Sequence, residues 1–138
     1  MSFERVNPPE LVPPRGWNHG MLAPAGGRLL FVAGQTARRD ESERLPSSFV
    51  EQFARALDNL LAVVRAAGGT AEDVGRLTVY VTDLPAYQAS LKPLGEAYRE
   101  RMGRHFPAMA LVEVNALVDP GAVVEIEATA VLPPAPRE

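Results

Sequence analysis

Val123-Val124-Glu125-Ile126-Glu127-Ala128-Thr129-Ala130-Val131 alternates so that Val124, Ile126, Ala128 and Ala130 fall on one face of a strand and Glu125, Glu127 and Thr129 on the other. The preceding run, Phe106-Pro107-Ala108-Met109-Ala110-Leu111-Val112-Glu113-Val114, also carries a carboxylate among branched apolar residues. Charges in such strands are hard to explain by folding alone. The acidic face must meet water, a cleft or a partner.

Working outward, Asp119-Pro120-Gly121 joins these two strands, and Pro107 closes whatever precedes them. Upstream, Tyr87, Leu91, Leu94, Tyr98 and Met102 recur at helical spacing, with Pro93 marking a kink or the effective start of the helix. Leu77, Val79 and Val81 alternate with Arg76, Thr78, Tyr80 and Thr82 as a half-buried strand. A turn at Thr70-Ala71-Glu72-Asp73 leads into it. Before that, Ser48-Phe49-Val50-Glu51 has capping-box spacing, and Phe49, Phe53, Leu57, Leu60, Leu61 and Val64 form the apolar stripe of a helix that Gly68-Gly69 ends. Arg38 to Leu45 reads as a loop. Trp17 to Leu22 and Arg28 to Gln35 read as a hairpin about Pro24-Ala25-Gly26-Gly27.

The expected order is hairpin, helix, strand, helix, strand, strand, in one domain spanning residues 1–138. Prolines 8, 9, 13 and 14 exclude regular structure around them, so residues 1–16 should lie extended on the surface, and 133–138 should form a loose tail. The class is α+β, a mixed sheet of about six strands. Two helices cannot wrap both faces of such a sheet, so they pack on one and leave the other, with Glu125, Glu127 and Glu113, for burial elsewhere. A carboxylate-bearing face with Val, Leu and Met suits a subunit interface lined with clefts. A homo-oligomer is expected.

Composition narrows the chemistry. Of 138 residues, 46% are apolar and 22% charged, the balance of a globular protein long enough to bury one core. With net charge −3 and a pI near 5.4, no strong field gathers polyanions, which disfavours nucleic acid. The absence of cysteine removes disulfides, thiolate nucleophiles and thiolate-bound metals. Neither a basic-apolar leader nor an apolar run long enough to span a bilayer is visible, so a cytoplasmic protein without membrane partners is expected. Two separated histidines make no metal ligand set, and the glycine pairs are explained by a turn and a helix stop rather than a phosphate cradle. No cofactor is expected.

The blocks Leu30-Phe31-Val32-Ala33-Gly34-Gln35, Asp58-Asn59-Leu60-Leu61, Ala66-Ala67-Gly68-Gly69, Val79-Tyr80-Val81-Thr82-Asp83-Leu84, Pro107-Ala108 and Val123-Val124-Glu125-Ile126-Glu127-Ala128 occur in unbroken order. Together they resemble the RidA/YjgF family of small imine deaminases over about Asn7 to Leu132. The resemblance implies a chorismate-mutase-like α+β subunit and a homotrimer with small-molecule clefts between adjacent subunits. It also implies hydrolysis of enamines and imines, such as 2-aminoacrylate or 2-iminobutanoate, to a 2-oxoacid and ammonia.

Such members place an arginine directly after the Pro-Ala pair, where its planar fork of donors grips the substrate carboxylate. This chain has Met109, whose thioether cannot donate a hydrogen bond or neutralise a charge. Losing a desolvated bidentate charge pair costs on the order of 2–5 kcal/mol, roughly thirtyfold to several thousandfold in binding. Ordinary 2-imino acids are then poor substrates unless another cation, such as Arg15 or Lys92, enters the cleft.

The resemblance also assigns Glu125 to positioning or activating the attacking water, and Gly34 with Gln35 to the backbone lining the cleft. Trp17 falls where a tyrosine is common, His19 lies near the same mouth, and Lys92 occupies a position that often holds asparagine. Each has a structural alternative. Glu125 and Glu127 also suit satisfied interface carboxylates, Met109 an apolar strand residue, Trp17 a packing residue and His19 a surface residue. His105, between Arg104 and Phe106, reads as a solvated helix end. Three functions follow: a deaminase-like hydrolase whose substrate is anchored differently, a non-catalytic small-molecule-binding member, and, with least support, an endoribonuclease of the kind some members are described as.

Overall fold

The computed structural model describes residues 3–135. Met1 and Ser2 of the expected extended segment, and residues 136–138 of the expected tail, lie outside them. Its elements are β1 (Glu4–Val6), β2 (Gly20–Leu22), β3 (Arg28–Gln35), α1 (Phe49–Ala66), a 3-10 turn (Ala71–Asp73), β4 (Val74–Val81), α2 (Leu84–Gln88), α3 (Leu91–Met102), β5 (Ala108–Glu113) and β6 (Val124–Leu132).

The fold is mixed α+β, and the six strands divide into a four-stranded sheet ordered β3-β6-β4-β5 and a separate β1-β2 ribbon. β4 and β5 run parallel, joined by the α2–α3 crossover, while β6 is antiparallel to both β3 and β4. The alternation in β6 holds: Val124, Ile126, Ala128 and Ala130 are buried, whereas Glu125, Glu127 and Thr129 are not.

The expected hairpin between Trp17–Leu22 and Arg28–Gln35 does not form. Gly26 does reverse the chain at φ +79°, but β2 pairs with β1 and β3 pairs with β6. A turn glycine specifies a reversal, not a partner. Pairing with the long β6 lets β3 bury Val32 in the core beneath α1. Trp17 and His19 lie outside β2, and Asn18 makes only an isolated bridge to Ala108.

Helix α1 starts where its capping box predicts, with the Ser48 side chain accepting from the Glu51 amide at 3.3 Å. Its stripe of Phe53, Leu57, Leu60, Leu61 and Val64 is buried against the sheet. The second helical pattern divides into α2 and α3, and Pro93 sits in the first turn of α3, where its missing N–H leaves no intrahelical bond unmade. The helix stops at Gly103, whose φ of +61° ends the helical path, before Pro107 is reached. His105 is no solvated helix end: it is half-buried, with Nε2 2.6 Å from the Val74 carbonyl oxygen. The described tail is tied at its start, where Arg28 Nε donates to the Pro133 carbonyl at 2.9 Å.

With the helices on one face, the other face of the sheet is left open. It carries Leu29 and Phe31, 64% and 75% exposed, beside Thr129, Glu127, Glu125 and Tyr80. Among the described residues, no helix is long and apolar enough to cross a membrane.

Candidate functional site

The sheet separates the candidate residues into two groups. Met109 pairs with Leu77 in the β4–β5 register, so its side chain falls on the helix face and packs against the core. There it lines a cavity of about 500 Å³ between the sheet and α3, within the range of small-molecule sites. Trp17 closes one side of that cavity and Arg15 stands beside it.

The Trp17 segment is held against the end of β5 by a chain of polar contacts. Asn18 Nδ2 donates to the Phe106 carbonyl at 2.5 Å and the Asn18 amide to that of Pro107 at 3.2 Å. Asn7 Nδ2 donates to Asn18 Oδ1 at 2.8 Å, and the His19 amide donates to Asn7 Oδ1 at 2.8 Å. His19 does not line the cavity. Its ring meets Trp17 edge-on at 4.6 Å between centroids, with Nε2 2.7 Å from the Val12 carbonyl oxygen, so it props the indole from behind.

Residues read from the sequence only as helical packing form another wall. Tyr98 stacks on Phe106 with 5.5 Å between centroids and donates its hydroxyl proton to the His105 carbonyl at 2.6 Å. Burial pushes that hydroxyl well above the ordinary tyrosine range. Arg99, missed in the sequence, also lines the cavity. The signal was the spacing of four in Leu91, Gly95 and Arg99, which puts all three on one stripe of α3. Lys92, in the first turn of α3, is exposed and does not line the cavity.

The second group lies on the open face. Glu125 sits opposite Tyr80 on β4, and Tyr80 donates its hydroxyl proton to Glu127 Oε1 at 2.7 Å. That hydrogen bond, then desolvation and the charges of Glu127 and Glu125, raise the Tyr80 pKa. Glu127 is thus a bonded member of a cross-strand pair, whereas Glu125 has no hydrogen-bond donor among the described residues. The β3 pairing slips between Val32 and Gln35, and Gly34 in that slip packs against the Glu125 carboxylate. Gln35 turns back, donating from Nε2 to the Ala33 carbonyl at 3.1 Å.

Within one chain, Trp17 and Met109 meet, and Gly34 and Glu125 meet, but the two pairs lie on opposite faces of the sheet. Among the described residues, no three histidine, aspartate or glutamate side chains gather as a metal site.

Comparison with known proteins agrees with this architecture. The family model described as Endoribonuclease L-PSP matches residues 10–132. A RutC family protein of Haemophilus influenzae is 35% identical over 106 residues, covering 76% of this chain and 80% of that protein. The 2-iminobutanoate/2-iminopropanoate deaminase of Escherichia coli is 33% identical over 105 residues, with the same shares covered. Among solved structures, the Rid family protein YyfB of Yersinia pestis superposes with a TM-score of 0.81 at 34% identity, over 96% of this chain and 100% of that one. The fold is therefore that of the small Rid proteins. The chain belongs to the RidA/YjgF family.

Proposed function

We propose that this protein is a cytoplasmic homotrimer that hydrolyses reactive enamines or imines, or a related substrate not anchored by residue 109, in clefts between its subunits. The observation that carries this is the division of the site: the Trp17–Met109 cavity on the helix face and the Gly34–Glu125 pair on the open one. A cleft between copies would let one subunit supply the cavity and its neighbour the carboxylate. The exposed Phe31 and Leu29 beside Glu127 and Thr129 give the open face a reason to be covered.

The chemistry asks little of the protein. An imine carbon is already electrophilic, so the site must hold the substrate, place a water and pass a proton to nitrogen. Water adds across C=N to give a carbinolamine, with Glu125 taking the proton of the water. That proton passes to nitrogen to complete the carbinolamine; Glu125 then takes the hydroxyl proton and delivers it to nitrogen as the C–N bond breaks, so that the carbonyl forms and ammonia leaves. Glu125 suits both steps because no donor among the described residues occupies its oxygens. Trp17, Gly34, Gln35 and Met109 would shape the cleft around it, with His19 supporting the Trp17 indole from behind and Lys92 outside the cavity of its own subunit.

The test is release of ammonia and 2-oxobutanoate from freshly generated 2-iminobutanoate by the native protein, Met109→Arg and Glu125→Gln. Slow native turnover, gain in Met109→Arg and loss in Glu125→Gln support the proposal. Activity indifferent to Glu125 ends it.

Met109 favours a second reading, that of a non-catalytic binding member, because the position that resembles a carboxylate anchor holds a thioether. A native protein and Met109→Arg both silent in the assay, yet stabilised by small ligands in a Trp17-dependent way, would establish it. An endoribonuclease has less support, since His19 and His105 each spend a ring nitrogen on a backbone carbonyl.

A further inference from the structure

The cavity under α3 is too large and too apolar for a short 2-imino acid alone. About 500 Å³ is bounded by Trp17, Tyr87, Tyr98, Phe106 and Met109, with the buried side chains of Leu57, Leu77 and Ile126 as its floor. A ligand of two to four carbons would leave most of those surfaces without contact, and an apolar cavity gains affinity by having its walls covered.

Its polar groups are placed one-sidedly. Arg15 and Arg99 line the same cavity, both exposed toward solvent, and no acidic side chain among the described residues lines it with them. Neither guanidinium donates a hydrogen bond to, or pairs with, another described residue, whereas Arg101 two residues on is tied to Asp58 at 2.8 Å. Gly95 keeps room for Arg99, since a methyl group there would sit 3.3 Å from Arg99 Nη1. The positive charge stands at the rim, and the inner surface, Met109 and the floor together, is apolar.

We infer that this cavity binds an anionic ligand with a bulky apolar body, the body seated against Met109 and the core floor and the anionic group held at the rim by Arg15 and Arg99. Resting on the proposed function, this makes the substrate class 2-imino acids with large apolar side chains. The orientation follows from Met109. With an arginine at that position the carboxylate is drawn inward, and with a thioether there the inner end accepts hydrocarbon. The planar forks of the two rim arginines suit a carboxylate.

Trp17 is the single tryptophan of the chain and lines the cavity, so its emission reports occupancy. The probe is 3-cyclohexylpropanoate, which does not absorb where tryptophan is excited, compared with 3-cyclohexylpropanamide and with propanoate. Saturable change with the first, and binding of the amide and of propanoate weaker by about tenfold or more, is the expected result. Arg15→Gln and Arg99→Gln should each weaken the acid by about tenfold while leaving the amide unchanged. Arg65→Gln, on the exposed last turn of α1, serves as the neutral control, and circular dichroism confirms that each variant is folded. Equal binding of acid and amide, arginine variants indistinguishable from Arg65→Gln, or no binding of 3-cyclohexylpropanoate would each overturn the inference. Arginine-dependent binding without ammonia release from any imine overturns the hydrolysis proposal and leaves this one standing. Ammonia release from a bulky imino acid that ignores both arginines overturns this one alone.

Discussion

Gly34 and Glu125 pack so closely across β3 and β6 that a methyl group on Gly34 would lie 2.7 Å from Glu125 Oε2 and 2.9 Å from its carboxyl carbon. The glycine is needed for space rather than for backbone freedom, because its φ lies outside the positive range. A carboxylate resting on bare backbone has a fixed direction, which the water-positioning role proposed for Glu125 requires. Gly34→Ala should therefore push Glu125 aside without harming the fold. In the Met109→Arg background, where the proposed hydrolysis of 2-iminobutanoate is expected to be faster, the substitution should cut the rate by about ten- to a hundredfold, while the thermal midpoint moves by only about 3 °C or less. Full activity in the Gly34→Ala variant would mean that the Glu125 direction is unimportant.

Phe31 projects from the open face opposite Thr129 and is 75% exposed. Covering such a ring contributes about 1.5–3 kcal/mol per subunit, and a charge in its place would have to be desolvated. On the proposed trimer, Phe31→Glu should shift the sedimentation velocity from that of an assembly to that of single chains with unchanged circular dichroism. A native protein that already sediments as single chains would end the proposed trimer, and an assembly that survives the substitution would remove the open face as its contact.

Tyr80 links the fold to alkaline pH through its hydrogen bond to Glu127. Its hydroxyl pKa is raised, first by the hydrogen bond to Glu127 and then by desolvation and the neighbouring carboxylates. The folded chain thus keeps a proton that the unfolded chain gives up near the ordinary value of about 10. The stabilisation is complete below that value and is lost as pH rises through the folded one. Urea midpoints should decline as pH rises above the ordinary tyrosine value of about 10, and less steeply in Tyr80→Phe. Tyr98, raised by burial, accounts for the decline that remains. Identical slopes in the two proteins would show that Tyr80 does not supply the linkage.

Asp119 ties the loop after β3 to the turn before β6. It accepts from Thr36 Oγ1 and from Arg38 Nε, each at 2.5 Å, and Arg38 also donates to the carbonyls of Glu43 and Pro120. Asp119→Ala leaves Arg38 and the buried Thr36 hydroxyl short of an acceptor and should cost about 1–3 kcal/mol in urea unfolding. An effect below about 0.5 kcal/mol would mean that the carbonyls alone hold the loop.

Local chemistry carried far. The stripe from Phe53 to Val64, the Ser48 cap and the alternation from Val124 to Ala130 each describe one element's own contacts, so they were legible in the sequence and the structure repeats them. The expectation of one covered and one open sheet face held, but Glu113 is not on the open one: it pairs with Val81 on the helix face, where it accepts from the Leu84 amide at 2.9 Å. Pairing was not legible: the glycine turn at residue 26 marked a reversal, yet β3 found β6 about a hundred residues away because that partner completes the core.

The candidate site divides along the same line. Sequence by itself determined which residues could bear chemistry, because Glu125 and Glu127 alternate with buried neighbours and Met109 follows Pro107-Ala108. Only the tertiary structure decided that Met109 and Trp17 share a cavity with Arg15 and Arg99 while Glu125 faces the other way with Gly34. The side of a sheet on which a residue lies is set by register, and register by long-range packing of the apolar faces.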